Sequence, residues 1–116
     1  MTYNLFIDDE RDPIDVKWGT PGEQYMYLTY EWVIARTWNE VLEFIVSFGF
    51  PSLISFDHDL GNGEKTGYEI VQKLCDMIMD GVALPENFEF MVHSKNPVGA
   101  KNILSYMTNF INHYKG

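Results

Sequence analysis

Short apolar runs that alternate with capped amphipathic segments restrict this chain to a small set of folds. Tyr3–Ile7, Trp32–Ala35, Leu53–Phe56 and Phe88–Val92 are rich in Leu, Ile, Val and Phe and too short for helices, as expected of strands buried on both faces. Thr37-Trp-Asn-Glu40 has the spacing of a capping box. Behind it Val41, Phe44, Ile45 and Phe48 share one helical face, which Gly49 and Pro51 bring to an end. Thr66-Gly-Tyr-Glu69 repeats the box ahead of Ile70, Val71, Leu74 and Ile78, with Gly81 as the stop. Asn96 as cap and Pro97 in the first turn start a last helix, whose stripe is Ala100, Ile103, Leu104, Met107, Phe110 and Ile111. The order is β, β-α, β-α, β-α. Parallel strands need crossover connections, so this order predicts an α/β fold with a mostly parallel sheet between helical layers. At 116 residues and 46% apolar content, one domain over 1–116 is expected. Between Glu10 and Tyr30 the sequence is rich in Pro, Gly and aromatics without a helical stripe, and is read as a long loop that serves as a lid or substrate-contacting flap.

Charge narrows the function. Seventeen acidic residues against eight basic ones give a net charge of −9, which repels an extended phosphate backbone and argues against extended nucleic-acid binding. A bound cation would still let a small phosphorylated ligand or a single nucleic-acid end approach. The single cysteine, Cys75, precludes an internal disulfide and is read as a core residue. With no signal-like N-terminus and no long apolar span, the expectation is a cytoplasmic protein without membrane association.

Ligands of parallel α/β sheets bind at the carboxyl ends of the strands, where strand order reverses. Asp8 and Asp9 close the first apolar run, Asp57 the third and His93 the fourth, so these side chains are expected to converge at one rim. Adjacent strands lie about 4.8 Å apart, close enough for their carboxylates to share one ion. Unscreened, such carboxylates repel each other. An oxygen-rich set favours Mg2+, with Mn2+ as the alternative, over calcium, for which no EF-hand loop is present. Zinc through His58 and His93 is a lesser option, because neither has zinc-site spacing.

The segments "LFIDDE", "ISFDHDLG" with "TGYEIV", and "FMVHSKNP" resemble the receiver-domain superfamily, and more closely its cyclic-phosphate-processing branch, over roughly residues 3 to 111. The resemblance implies a flavodoxin-like three-layer sandwich. Compared with receivers, the fifth strand with its lysine is missing and the first helix is replaced by the long loop. It also implies that Asp8, Asp9, Asp57 and Asp59 surround the metal, with Asp57 at the phosphoryl-acceptor position and His93 or Ser94 where receivers place a phosphate-sensing hydroxyl. Lys95 and Arg11 are the cations that stand in for the missing lysine, so Ser94, Lys95 and Arg11 are the substrate-binding candidates. The substrate implied is the cyclic phosphate of a nucleotide or RNA end, and the activity a Mg2+-dependent phosphoesterase or phosphohydrolase. In that chemistry Asp57 acts as nucleophile or metal ligand, while His58 or His93 moves the protons. The alternative is a non-catalytic receiver-like phosphate-binding or signalling module. A haloacid-dehalogenase-like role for Asp57 and Asp59 ranks third, because the other segments do not follow that order. Tyr25, Tyr27, Tyr30, Trp32, Met77 and Met79 are read as core, with Trp18 or Tyr25 as stacking candidates if the flap holds a base. An uncovered sheet edge would favour a homodimer.

Overall fold

A computed structural model describes residues 2–57 and 66–115. The apolar runs form β1 (Asn4–Ile7), β2 (Val33–Ala35), β3 (Leu53–Phe56) and β4 (Glu89–Val92). All pairings are parallel, in the order β2-β1-β3-β4. Order reverses between β1 and β3, because the chain steps outward from β1 to one side for β2 and to the other for β3 and β4. The register sets Ile7 beside Ala35 and Phe56, and Phe56 beside Val92. The next residues continue the ladder: the Asp57 amide donates to the Ile7 carbonyl at 3.0 Å and the His93 amide to the Phe56 carbonyl at 2.9 Å. Asp8, Asp57 and His93 therefore stand abreast on three adjacent strands.

Strand alternation divides the sheet into two faces. Leu5, Ile7, Ile54 and Phe56 point to the larger core, made with Val41 and Ile45 of α2 (Trp38–Phe48), Ile70, Val71 and Leu74 of α3 (Gly67–Met79), and Ile103 and Met107 of α4 (Pro97–Lys115). Burial of each such side chain contributes about 1.5–3 kcal/mol, so this face carries most of the stabilisation. Phe48, expected on the same stripe, is exposed. The opposite face presents Phe6 and Met91 to Val16, Tyr27 and Trp32.

The expected long loop is corrected here. Pro13–Asp15 forms a 3-10 turn and Pro21–Thr29 the helix α1, so the first-helix position of a receiver is filled. Thr20 caps α1 by accepting from the Glu23 amide, and the Glu23 carboxylate accepts from the Thr20 amide in return. Pro21 occupies the first turn, where it has no helical hydrogen bond to lose. Tyr27 is the one buried side chain of α1, which is why no apolar stripe marks the helix. The expected caps recur at α2, α3 and α4, where Thr37, Thr66 and Asn96 accept from the amides of Glu40, Glu69 and Gly99. At α2 the Glu40 carboxylate reaches past Thr37 to the Arg36 amide. Among the described residues no helix is long and apolar enough to cross a membrane.

Candidate functional site

The second face of the sheet ends in charge. Asp8 follows Phe6, Asp57 follows Ser55 and His93 follows Met91 at two-residue spacing, so all three turn to the side covered by α1. One ligand atom from each lies within 4.8 Å of the others, and all three residues are buried.

A buried chain of hydrogen bonds holds this cluster. The Tyr27 hydroxyl meets Ser55 Oγ at 2.6 Å, Ser55 Oγ meets His93 Nδ1 at 2.7 Å, and His93 Nε2 meets Asp8 Oδ2 at 3.0 Å. A carboxylate only accepts, so Nε2 carries a proton. In the neutral ring Nδ1 then accepts from the Ser55 hydroxyl, and Tyr27 donates to Ser55. Phe6 stacks on the imidazole with ring centroids 4.3 Å apart. Both edges and a face of His93 are thus occupied.

Asp8 Oδ1 accepts from the amides of Glu10 and Arg11, each at 2.9 Å. Burial alone would raise its pKa, but the bonds from His93 and the two amides outweigh burial and hold the carboxyl below its ordinary value. Asp9 moves the other way. Partial burial raises its pKa, and the neighbouring charges of Asp8 and Glu10 add to the rise. Burial also pushes the Tyr27 phenol up to about 12, so it enters the chain as a hydroxyl.

Beside the cluster opens a polar pocket of about 300 Å³, lined by Asp9, Glu10, Arg11, Asp57, Ser94, Lys95 and Asn96. Asp57 belongs both to the buried cluster and to the pocket wall. Arg11 Nη1 lies 3.7 Å from Asp8 Oδ2 and 3.9 Å from Asp57 Oδ2, too far for a hydrogen bond but close enough to offset charge. The loop after β1 is fixed from below by Arg36, whose guanidinium donates to the carbonyls of Asp8 and Arg11 and pairs with Asp12. A larger apolar groove of about 590 Å³ between α3 and α4, lined by Cys75, Met79 and Phe110 among others, shares no residue with this pocket. The convergent charges, more than volume, mark the chemistry.

The structure brings Asp8, Asp57 and His93 together as expected, and places Asp9, Arg11, Ser94 and Lys95 around the adjoining space. His93 lies behind Asp8 and does not line the pocket. Ser94 Oγ accepts from the Asn96 amide at 3.1 Å while it lines the wall. His58 and Asp59 lie outside the described residues. Sequence reasoning missed Ser55 as a hydrogen-bond partner and Arg36 as a loop anchor. A serine in the otherwise apolar run Leu53–Phe56 was the available signal, since a buried hydroxyl needs a partner.

An all-parallel sheet of this order, with acidic residues after β1 and β3 on either side of the order reversal, defines a receiver-like α/β protein. The sequence matches the family described as cyclic-phosphate processing receiver domain over residues 3–109, and the chain belongs to that family. Among curated proteins no match is found. A solved structure of a fusion carrying the trimeric coiled coil of yeast Spc42 is similar over 90% of this chain, at 22% identity and a TM-score of 0.52. The chain spans 62% of that structure's length, and the likeness is one of fold.

Proposed function

We propose that the protein is a Mg2+-dependent phosphoesterase that opens the cyclic phosphate of a nucleotide or RNA end. The observation that carries this reading is the double membership of Asp57, in the buried Asp8–Asp57–His93 cluster and in the wall of a pocket that also offers Arg11, Ser94 and Lys95.

The donor set suits a divalent cation. A carboxylate has about four acceptor sites, and among the described residues three on Asp8 are used by Glu10, Arg11 and His93, which leaves one. Asp8 and Asp57 would hold Mg2+, or Mn2+, with Asp9 facing the same space and Asp59 two positions beyond Asp57 in the sequence. Bound there, the ion supplies Lewis-acid polarisation of a phosphoryl oxygen and neutralises charge as it develops. The remaining work falls to the chain. Arg11, with a planar fork of donors, and Lys95, a compact point charge, take the other phosphoryl oxygens. Water adds to phosphorus and one ring P–O bond opens, which converts a cyclic diester to a monoester. The proton of the attacking water passes to Asp57, and the leaving alkoxide takes up a proton, the role expected from the sequence for His58 or His93. His93 keeps Asp8 oriented through its Nε2–H, as a positioning residue.

The test is incubation with 2′,3′- and 3′,5′-cyclic nucleotides and Mg2+, for the wild type and D57N. The expected result is turnover of at least one cyclic nucleotide and a loss of about 100-fold or more in D57N, the scale of removing a group that acts in the transition state. Stoichiometric labelling of Asp57 by acetyl phosphate, without turnover of any cyclic ester, would instead establish a signalling module.

A further inference from the structure

Trp18 is tied to the site by three contacts. Its indole N–H donates to the His93 carbonyl at 2.8 Å, which anchors the ring to the end of β4. The Lys95 ammonium lies 4.6 Å and the Arg11 guanidinium carbon 5.1 Å from the ring centroid. Both are within the distance of about 6 Å at which an aromatic face attracts a cation. Arg11 follows β1 and Lys95 follows β4, so one ring gathers two cations delivered by different strands, and both line the pocket that Asp57 enters. Two such cations repel each other, and each loses rotamer freedom when it closes on an anion. An electron-rich ring that already holds both offsets part of the repulsion and removes much of the ordering from the binding step.

We propose that Trp18 is a positioning residue of an anion subsite, holding Arg11 and Lys95 as a pair that closes on the phosphoryl oxygens of a cyclic phosphate ester. The inference rests on the function proposed above and deepens it, since it assigns recognition to the charge of the phosphoryl group. The subsite would therefore serve a cyclic ester and a free phosphate anion alike. Arg11 contributes a directional fork and Lys95 a point charge, while the indole fixes the distance between them. Anion binding draws both cations toward the pocket and changes the field on the ring, so Trp18 emission reports it.

The test compares wild type, W18F and W18L, each as the full chain with Mg2+, by calorimetric titration with 2′,3′-cyclic AMP and with inorganic phosphate. Mn2+ affinity is measured in parallel by electron paramagnetic resonance. W18L is expected to bind both anions about tenfold more weakly, the scale of ordering two long side chains. W18F, which keeps a weaker ring face, is expected to lose less, and Mn2+ affinity is expected to be unchanged in both. The wild-type emission change on anion binding should vanish in W18F, and K95Q should cost less affinity in the W18L background than in wild type. Wild-type anion affinity in W18F and W18L, or a K95Q effect undiminished by W18L, overturns the role of Trp18 and leaves the function standing. A wild-type protein that binds neither anion removes the proposed function, and this role with it. If W18L does not fold, W18F and the emission change decide.

Discussion

Ser55 sits in β3 between Ile54 and Phe56, both buried, and its hydroxyl links Tyr27 to His93. In S55A the buried His93 Nδ1 and Tyr27 hydroxyl lose their common partner. Stranding a buried polar group costs about 1–3 kcal/mol, so urea unfolding should show S55A destabilised by at least that much. Y27F leaves the Ser55 hydroxyl free to keep donating to His93, and is expected to cost only about 0.5–1.5 kcal/mol. Equal effects would mean that the chain does not run in the direction assigned. The adjacent acids Asp8 and Asp9 should respond oppositely to neutralisation. The Asp8 pKa is lowered by folding, so its ionised form contributes stability that is present above the ordinary carboxylate pKa and is lost as pH falls through the depressed value. The Asp9 pKa is raised, so ionised Asp9 opposes folding at neutral pH. Thermal melts with EDTA at pH 7 are expected to show D8N destabilised and D9N stabilised, with the D8N deficit shrinking as pH falls below about 4. A D9N protein less stable than wild type at pH 7 would contradict the assignment.

Among the elements, α1 depends most on its cap. It has nine residues, one buried side chain, and Gly22 in its first turn, so packing supplies little of what keeps it helical. Removing the Thr20 hydroxyl in T20A should cost about 1 kcal/mol and raise hydrogen-exchange rates in α1 ahead of those in α2 or α3. Uniform protection across the helices would contradict this. The same features explain why α1 was not legible in the sequence. Thr20-Pro-Gly-Glu23 reads as a turn because Pro and Gly punctuate loops, yet Pro in the first helical position and a Glu that closes a capping box are start signals. The strands and α2 to α4 were legible because their apolar runs are long and local, and because Thr37, Thr66 and Asn96 announce the starts. Asp8, Asp57 and His93 were legible for a related reason: each directly follows an apolar run, and parallel pairing brings such positions to one rim. Tyr27 with Ser55, Trp18 with the His93 carbonyl, and Arg36 with the Arg11 carbonyl join residues 28, 75 and 25 positions apart, which no local pattern records.

At the scale of the molecule, the −9 charge and the pocket carry opposite messages that the sheet reconciles. Acidic residues outnumber basic ones, so the overall field is negative. At the carboxyl ends of β1, β3 and β4 the parallel register collects two aspartates beside Arg11 and Lys95, a local arrangement in which one cation and one phosphoryl group would offset each other. The order reversal between β1 and β3 leaves room there because the connections leave the rim in opposite directions. The central claim is that Asp8 and Asp57 hold a single divalent ion at that rim. A Mg2+ titration followed by amide NMR tests it most directly. One saturable set of shifts confined to the amides of Asp8, Asp9, Asp57 and Lys95, and absent in D8N and D57N, is the predicted result; unmoved amides at these positions, or shifts unaffected by both substitutions, would contradict it.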